Sequence, residues 1–264
     1  MTEPQPQTCV LVEDADTQPG VRILRINRPD KRNALNLATK RALIAALTAA
    51  DADPAVSVVV LAGAGDVFVA GTDIAEMAGL TPTDHLTQDT GAVFSVLDRL
   101  GKPVIAAVEG YALGGGCELA MACDIVVAGA SARFGQPEIR VGLVPGAGGL
   151  SRLVQRAGRA QALRLALTGE PVTAQAAYQM GIVSEIVADG AAVPSAVELA
   201  AVIAAQPPLN VRTIRAVARH AEGAPLDTAI ALERSMFQLT FDSDDHAEGL
   251  RAFLDRRNPV YQGH

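Results

Sequence analysis

Tryptophan is absent from this chain of 264 residues, and tyrosine and phenylalanine together bring the aromatic share to only 3%. Few rings are on hand to stack on bases, and acidic residues outnumber basic ones by 29 to 22, a net charge of −7. A phosphate backbone is repelled by such a field, so nucleic acid is not an expected partner. Long hydrophobic runs are missing too. A membrane-spanning helix needs about 20 consecutive apolar residues, and the apolar stretches here, such as Val58 to Ala62 and Val104 to Val108, are far shorter. No membrane span is expected. The opening MTEPQPQT has neither a basic flank nor an apolar core, which argues against a secretory leader and for a cytoplasmic location. Cysteine is scarce: Cys9, Cys117 and Cys123 are odd in number and lack metal-type spacing. They support neither a disulfide framework nor a metal site and read as small apolar core residues. What is present, 49% hydrophobic and 19% charged residues, fits a folded chain with one large domain or one domain and an appendage.

The pattern alternates strand and helix. VRILRIN, Val21 to Asn27, follows a weaker candidate strand at Cys9 to Val12 across a turn with Pro19-Gly20, predicting an opening hairpin. From Asn36 the apolar residues Leu43, Ala46, Leu47 and Ala50 take helical spacing that ends before Pro54. Further along come strand Val56 to Leu61, a helical stretch from Thr83 to Leu100, strand Val104 to Val108, helix Gly114 to Ala122 and strand Asp124 to Ala128. Strands separated by helices imply parallel pairing and an α/β class. After about Ala191 only helical pattern remains, interrupted by Pro207-Pro208, Pro225 and Pro259, so composition divides the chain into 1–191 and 192–264. In the second part Leu226, Ile230, Phe237 and Phe241 form one apolar stripe. A helical appendage too small for its own core must be covered by the main domain or by another subunit, which predicts oligomerisation.

Three segments could carry chemistry. GYALGGGCELA, Gly110 to Ala120, stands between a strand and a helix, where free N–H groups and the positive helix end suit a phosphate or an oxyanion. Neither the dinucleotide nor the P-loop pattern fits it, and close helix packing would explain the glycines equally well. Glu118 lies one turn into that helix among apolar neighbours, where burial would raise its pKa. A second glycine-rich segment, FGQPEIRVGLVPGAGG, carries Glu138. Two carboxylates beside two such turns can share acid and base roles, or be a helix and a loop glutamate in solvent; spacing alone favours the second. The third segment is FVAGTDIAEM, where the Thr72 N–H could face the same site, and Thr72 and Asp73 otherwise read as ordinary helix-start residues.

These segments carry a resemblance. RINRPDKRNALN, FVAGTDI, KPVIAAVEGYALGGGCELAMACD, FGQPEIRVGLVPGAGG and FDSDDHAEGLRAFLDRR, in this order over nearly the whole chain, resemble the enoyl-CoA hydratase/isomerase, or crotonase, family. The resemblance implies an α/β spiral of ββα units, with a catalytic core over 1–191 and a helical C-terminal region over 192–264 used in trimerisation. A homotrimer or a homohexamer built from two trimers follows from it. It also implies an acyl-CoA substrate, coenzyme A being part of that substrate and no further cofactor being needed. The backbone N–H groups of Thr72 and Gly115 would form the oxyanion hole for the thioester carbonyl. Alanine is frequent at the position of Thr72, and a main-chain donor survives that difference. Glu118 and Glu138 both match the catalytic pair of a hydratase, where many relatives keep only one, and Gly146 matches a glycine whose N–H helps place water.

For CoA, the resemblance points to the main chain of Ala34 in the RNALN turn, and to Phe253 and Arg256 reaching a neighbouring subunit's CoA, the arginine replacing a frequent lysine. Arg28, Lys31 and Arg32 are candidate phosphate contacts or a solvated basic edge. A lysine common just after FVAGTDI is absent, Ala75 standing there. Isomerisation of enoyl-CoA is the nearest alternative function, and a silent acyl-CoA-binding or scaffold protein a more distant one. Clp-type proteases share the spiral, yet GYALGGGCE has no nucleophilic serine, and His85, His220, His246 and His264 lack a serine-and-acid arrangement.

Overall fold

The computed structural model describes residues 8–263. Residues 1–7, on which the reading of a missing leader rests, and His264 lie outside the described residues. In chain order the elements are β1 (Val10–Asp14), β2 (Val21–Ile26), α1 (Leu37–Ala52), β3 (Val58–Gly63), α2 (Ile74–Met77), α3 (Pro82–Thr87), α4 (Ala92–Arg99), β4 (Val104–Val108), β5 (Tyr111–Leu113) and α5 (Gly115–Ala122). They continue with β6 (Ile125–Gly129), β7 (Arg133–Gly135), α6 (Gly149–Thr168), β8 (Val172–Thr173), α7 (Ala174–Gln179), β9 (Glu185–Val187), α8 (Ala192–Ala204), α9 (Pro208–Ala221), α10 (Leu226–Leu239) and α11 (Asp244–Asp255).

A six-stranded sheet runs β1-β2-β3-β4-β6-β9, with β1 antiparallel to β2 and every later pair parallel. A three-stranded sheet, β5-β7-β8, lies beside it. The chain moves between the two in a repeating step. After β3 it reaches Val69, which bridges Ala112 of β5; after β4 it enters β5, and after β6 it enters β7. Each pass leaves a turn at the same end of the large sheet, so successive turns are stacked where the site forms.

The parallel strands β3 and β4 read VVVLAG and VIAAV, apolar on both faces because both faces are covered. One face packs against Leu43 and Leu47 of α1, Leu97 of α4, and Leu119 and Met121 of α5. The other packs against α8, whose Ala192, Ala196 and Ala200 meet Ile23, Val58, Val60 and Ile105. Alanines one turn apart let that helix lie close to the strands. The core therefore runs across the change in composition near Ala191. Helix α9 is tied down as well. The Arg215 guanidinium, 8% exposed, pairs with Asp124 at 2.9 Å and donates to the carbonyls of Leu97 and Leu100.

The opening hairpin, α1 and β4 stand where expected, and the Asn36 side chain caps α1 by accepting from the Thr39 N–H. Four differences have simple causes. The expected helix from Thr83 to Leu100 is two helices, α3 and α4, because Asp89 between them adopts a left-handed φ of 43°. The strand expected at Val56 starts at Val58 and extends to Gly63. The strand expected at Asp124 starts at Ile125, since the Asp124 carboxylate turns back to accept from the Val104 N–H. Strands β5, β7, β8 and β9 were not foreseen, being two or three residues long, too short to show alternation. Among the described residues no single helix is long and apolar enough to cross a membrane.

Candidate active site

Three turns converge on a cavity of about 500 Å³ lined by Thr72, Gly115, Glu118, Glu138 and Gly146. The first turn is set by Asn33, fully buried in the left-handed region at φ 57°. Its amide accepts from the Arg28 N–H and donates to the carbonyls of Ala64 and Val67, satisfying a polar group that would otherwise be costly to bury. So pinned, Leu35 pairs with the extended segment opposite: its N–H donates to Gly71 O and its carbonyl accepts from Asp73 N. Successive N–H groups of an extended chain point to opposite sides. The Thr72 N–H therefore faces away from Leu35, toward the cavity, with no acceptor among the described residues.

The second turn joins β5 to α5. Gly114 has φ 49° and ψ −122°, a conformation for which glycine is suited, and Gly115 opens the helix, where first-turn N–H groups have no partner within the helix. The two turns touch. A Cβ built on Gly115 would stand 2.7 Å from Thr72 Oγ1 and 3.5 Å from Thr72 N, and one on Gly116 would stand 2.1 Å from Val69 O. The glycine cluster thus serves close backbone approach, and that approach brings the Thr72 and Gly115 N–H groups together at one edge of the cavity.

The third turn carries the carboxylates' supports. Glu118, 4% exposed, accepts at one oxygen from the N–H groups of Ala147, at 2.7 Å, and Gly149, at 2.9 Å. Hydrogen bonds to a charged group contribute about 2 kcal/mol each, which offsets its burial. Glu138 sits on the turn Pro137–Val141, and its Oε1 lies where a Cβ on Gly114 would come within 2.9 Å. Partial burial, and then the nearby Glu118 charge, push the Glu138 carboxyl up to about 7. The buried Gln136 side-chain amide faces the Glu138 carboxyl, 3.0 and 3.1 Å from its two oxygens. One carboxylate is thus fixed by two backbone donors, and the other is poised to hold a proton near neutrality.

The loop that holds Glu118 is itself braced. Arg152 donates to Ala147 O at 3.0 Å and to both oxygens of Asp98 at 2.9 and 3.1 Å, and Arg219 of α9 donates to the same Asp98. The guanidinium lies over Gly148, where a Cβ would meet it at 2.2 Å. These residues border a second hollow, about 1300 Å³, that shares Gly91, Phe94, Gly146 and Ala147 with the first but is lined by neither Glu118 nor Glu138. Sequence reasoning did not find Gln136, Ala147, Gly149 or Arg152. The run GAGG signalled close backbone approach, but nothing in it says which side chain approaches.

The candidate CoA residues are less gathered. The Arg28 guanidinium is engaged inside the chain, donating to Ala34 O at 2.5 Å and pairing with Asp73 at 3.0 Å; that partner holds the Asp73 carboxyl below its ordinary range. Its position braces the first turn. Lys31 is exposed, and the Ala34 carbonyl is the one Arg28 holds. Phe253 and Arg256 lie exposed at the end of α11 and do not line the cavity. Cys117 and Cys123 are buried and free, and desolvation drives the Cys117 thiol up to about 12, so both are inert apolar side chains, as the sequence suggests.

The sequence model of the enoyl-CoA hydratase/isomerase family matches residues 16–264. The 2,3-dehydroadipyl-CoA hydratase of Escherichia coli is 42% identical over 246 residues, covering 93% of this chain and 96% of that one. A probable enoyl-CoA hydratase of Rhizobium meliloti is 42% identical over 248 residues, covering 94% and 96%. Among solved structures, an enoyl-CoA hydratase subunit from Geobacillus kaustophilus superposes with a TM-score of 0.92 at 39% identity, covering 97% of this chain and 98% of that one. An enoyl-CoA hydratase from Bacillus anthracis gives the same TM-score at 34% identity, covering 97% and 100%. With matching sequence, fold and chain length, this chain belongs to the enoyl-CoA hydratase/isomerase, or crotonase, family.

Proposed function

We propose that the enzyme adds water reversibly across the double bond of a trans-2-enoyl-CoA to give a 3-hydroxyacyl-CoA. The observation that carries this reading is the convergence of two carboxylates, Glu118 and Glu138, on a cavity edged by the unpartnered N–H groups of Thr72 and Gly115. The thioester oxygen accepts from those two N–H groups as negative charge builds on it, each worth about 3 kcal/mol in the transition state. Glu118, anchored through one oxygen, takes a proton from water as the water attacks C3, with Gly146 N–H helping to place it. Glu138, whose proton is held to about pH 7, delivers a proton to C2. The pair carries one proton between them, and it changes sides in each direction of the reaction.

Lys31 and the Ala34 main chain take the CoA end, while Arg28 shapes the turn that presents them. The C-terminal helices assemble subunits into a trimer or a hexamer. Supporting this, Leu226, Ile230 and Phe237 of α10 and Phe241 just after it are all more than half exposed, as are Phe253 and Leu254 of α11. In the assembly Phe253 and Arg256 reach a neighbour's CoA.

Isomerisation would need mainly Glu138, and the two backbone donors on Glu118 favour hydration over it. Incubation with trans-2-butenoyl-CoA tests the choice. Hydration removes the conjugated thioester absorbance and yields 3-hydroxybutyryl-CoA. An isomerase instead leaves that substrate intact and generates the absorbance from a 3-enoyl-CoA.

A further inference from the structure

Lys40, at the end of the first turn of α1, lines the same cavity as Glu118 and Glu138, yet no step of the proposed chemistry uses it. It is only 9% exposed. Its ammonium has three donors and one acceptor, the carbonyl of Thr90 at 2.9 Å. No carboxylate among the described residues lies within ion-pair distance of it. Glu76 is occupied by the Leu37 N–H, and Glu118 by the two backbone donors of its loop. Desolvation lowers the Lys40 pKa, with Glu76 and Glu118 opposing that pull from a distance.

A buried cation without a close counter-charge is costly by several kcal/mol, and one neutral carbonyl does not balance it. A wall of the cavity needed only for packing would be served by an apolar side chain. Thr90 gathers further polarity at this spot, since its hydroxyl meets His85 Nδ1 at 2.9 Å. Around the cluster stand Met77, Leu80 and Phe94, apolar surface suited to methylene groups. A chain of methylenes that ends in an anion matches this lining.

We propose that Lys40 recognises a carboxylate at the far end of the acyl chain, so that the preferred substrates are mono-CoA thioesters of unsaturated dicarboxylic acids. This deepens the hydratase reading and rests on it for the site of reaction. The carboxylate takes the free ammonium donors, and the ion pair forms where water is already excluded, so it discriminates strongly against an uncharged tail.

Two substrates of equal length test this: trans-2-hexenoyl-CoA, with a methyl end, and the trans-2-hexenedioyl mono-CoA thioester, with a carboxylate end. The wild type is expected to favour the second by about tenfold or more in kcat/KM. Lys40→Met is expected to abolish or invert that ratio, and Lys40→Arg to retain part of it. Calorimetric titration with the saturated pair, hexanoyl-CoA and adipyl-CoA, should show the same preference without turnover. A wild-type ratio near or below one in both measurements overturns the proposal, whatever the folding of the variants. So does an unchanged ratio in a folded Lys40→Met. If the wild type binds adipyl-CoA in preference but hydrates neither unsaturated substrate, the hydratase reading falls and the role of Lys40 stands.

Discussion

Helices α5 and α10 are both rich in apolar side chains, yet every residue of α5 is buried and none of α10 is. Helix α5 follows a strand of the small sheet and lies between the large sheet, α4 and α6, so its own chain removes it from water on all sides. That burial is what makes Glu118 useful: a carboxylate in its first turn can be held only by the donors the fold aims at it. Helix α10 packs against α9 and turns Leu226, Ile230 and Phe237 outward, and Phe237 meets Phe241 edge to face at 5.1 Å. An apolar helix face that its own chain leaves uncovered is the kind of surface that marks an interaction site. Similar composition thus encloses the candidate site in one place and, in the other, leaves the face on which the proposed assembly rests.

The contrast can be broken at α5 first. Glu118→Gln keeps the shape and the two N–H groups but loses the base, and should lower hydration of an enoyl-CoA about 10³-fold while circular dichroism stays native. Turnover close to wild type would remove Glu118 from the mechanism. Gly116→Ala attacks the packing instead. Its Cβ would stand 2.1 Å from Val69 O, a backbone atom that cannot rotate away, and the expected loss is about 3 kcal/mol in denaturant unfolding.

Next in size is the pH response of the site. Burial pushes the Glu138 carboxyl up to about 7, and the proposed hydration uses its proton, so kcat/KM should fall about tenfold per pH unit above about 7. Glu138→Gln should lose this limb together with most of the activity. Because the folded value lies above the ordinary 4.5, Glu138 also withdraws stability as pH rises from 4.5 to about 7, and the variant should lack that slope in thermal melts.

At α10 the expected effect falls on assembly. Phe237→Asp with Phe241→Asp should dissociate the proposed oligomer, read by sedimentation, while costing the isolated subunit no more than about 1 kcal/mol because both rings are half exposed already. A wild type that is monomeric at micromolar concentration and fully active would overturn the proposed role of this face. The smallest effect belongs to Thr72→Ala. A main-chain donor survives it, so turnover should stay within about tenfold of wild type. The same change makes room beside Gly115, whose added Cβ would meet the Thr72 hydroxyl at 2.7 Å, so Gly115→Ala should be less damaging in the Thr72→Ala background than alone.

Much of this was legible in the sequence. Apolar runs such as VIAAV and the period of α1 fixed where strands and helices form, and long motifs in order pointed to the family. The glycines of GYALGGGCELA announced close backbone approach, because only a residue without Cβ fits there. Local sequence also determined that α10 has one apolar stripe. Long-range packing decided the rest. That Glu118 is bound by Ala147 and Gly149, 29 and 31 residues away, follows from the stacking of α5 under the third turn and has no local signature. That Arg28 serves Asp73, that α8 covers the sheet across a change in composition, and that Lys40 stands buried in the cavity that Glu118 and Glu138 line are likewise products of the fold. Periodicity reports which side of an element is apolar, whereas the partner of a polar group is chosen by which distant backbone the closed structure brings within hydrogen-bond reach.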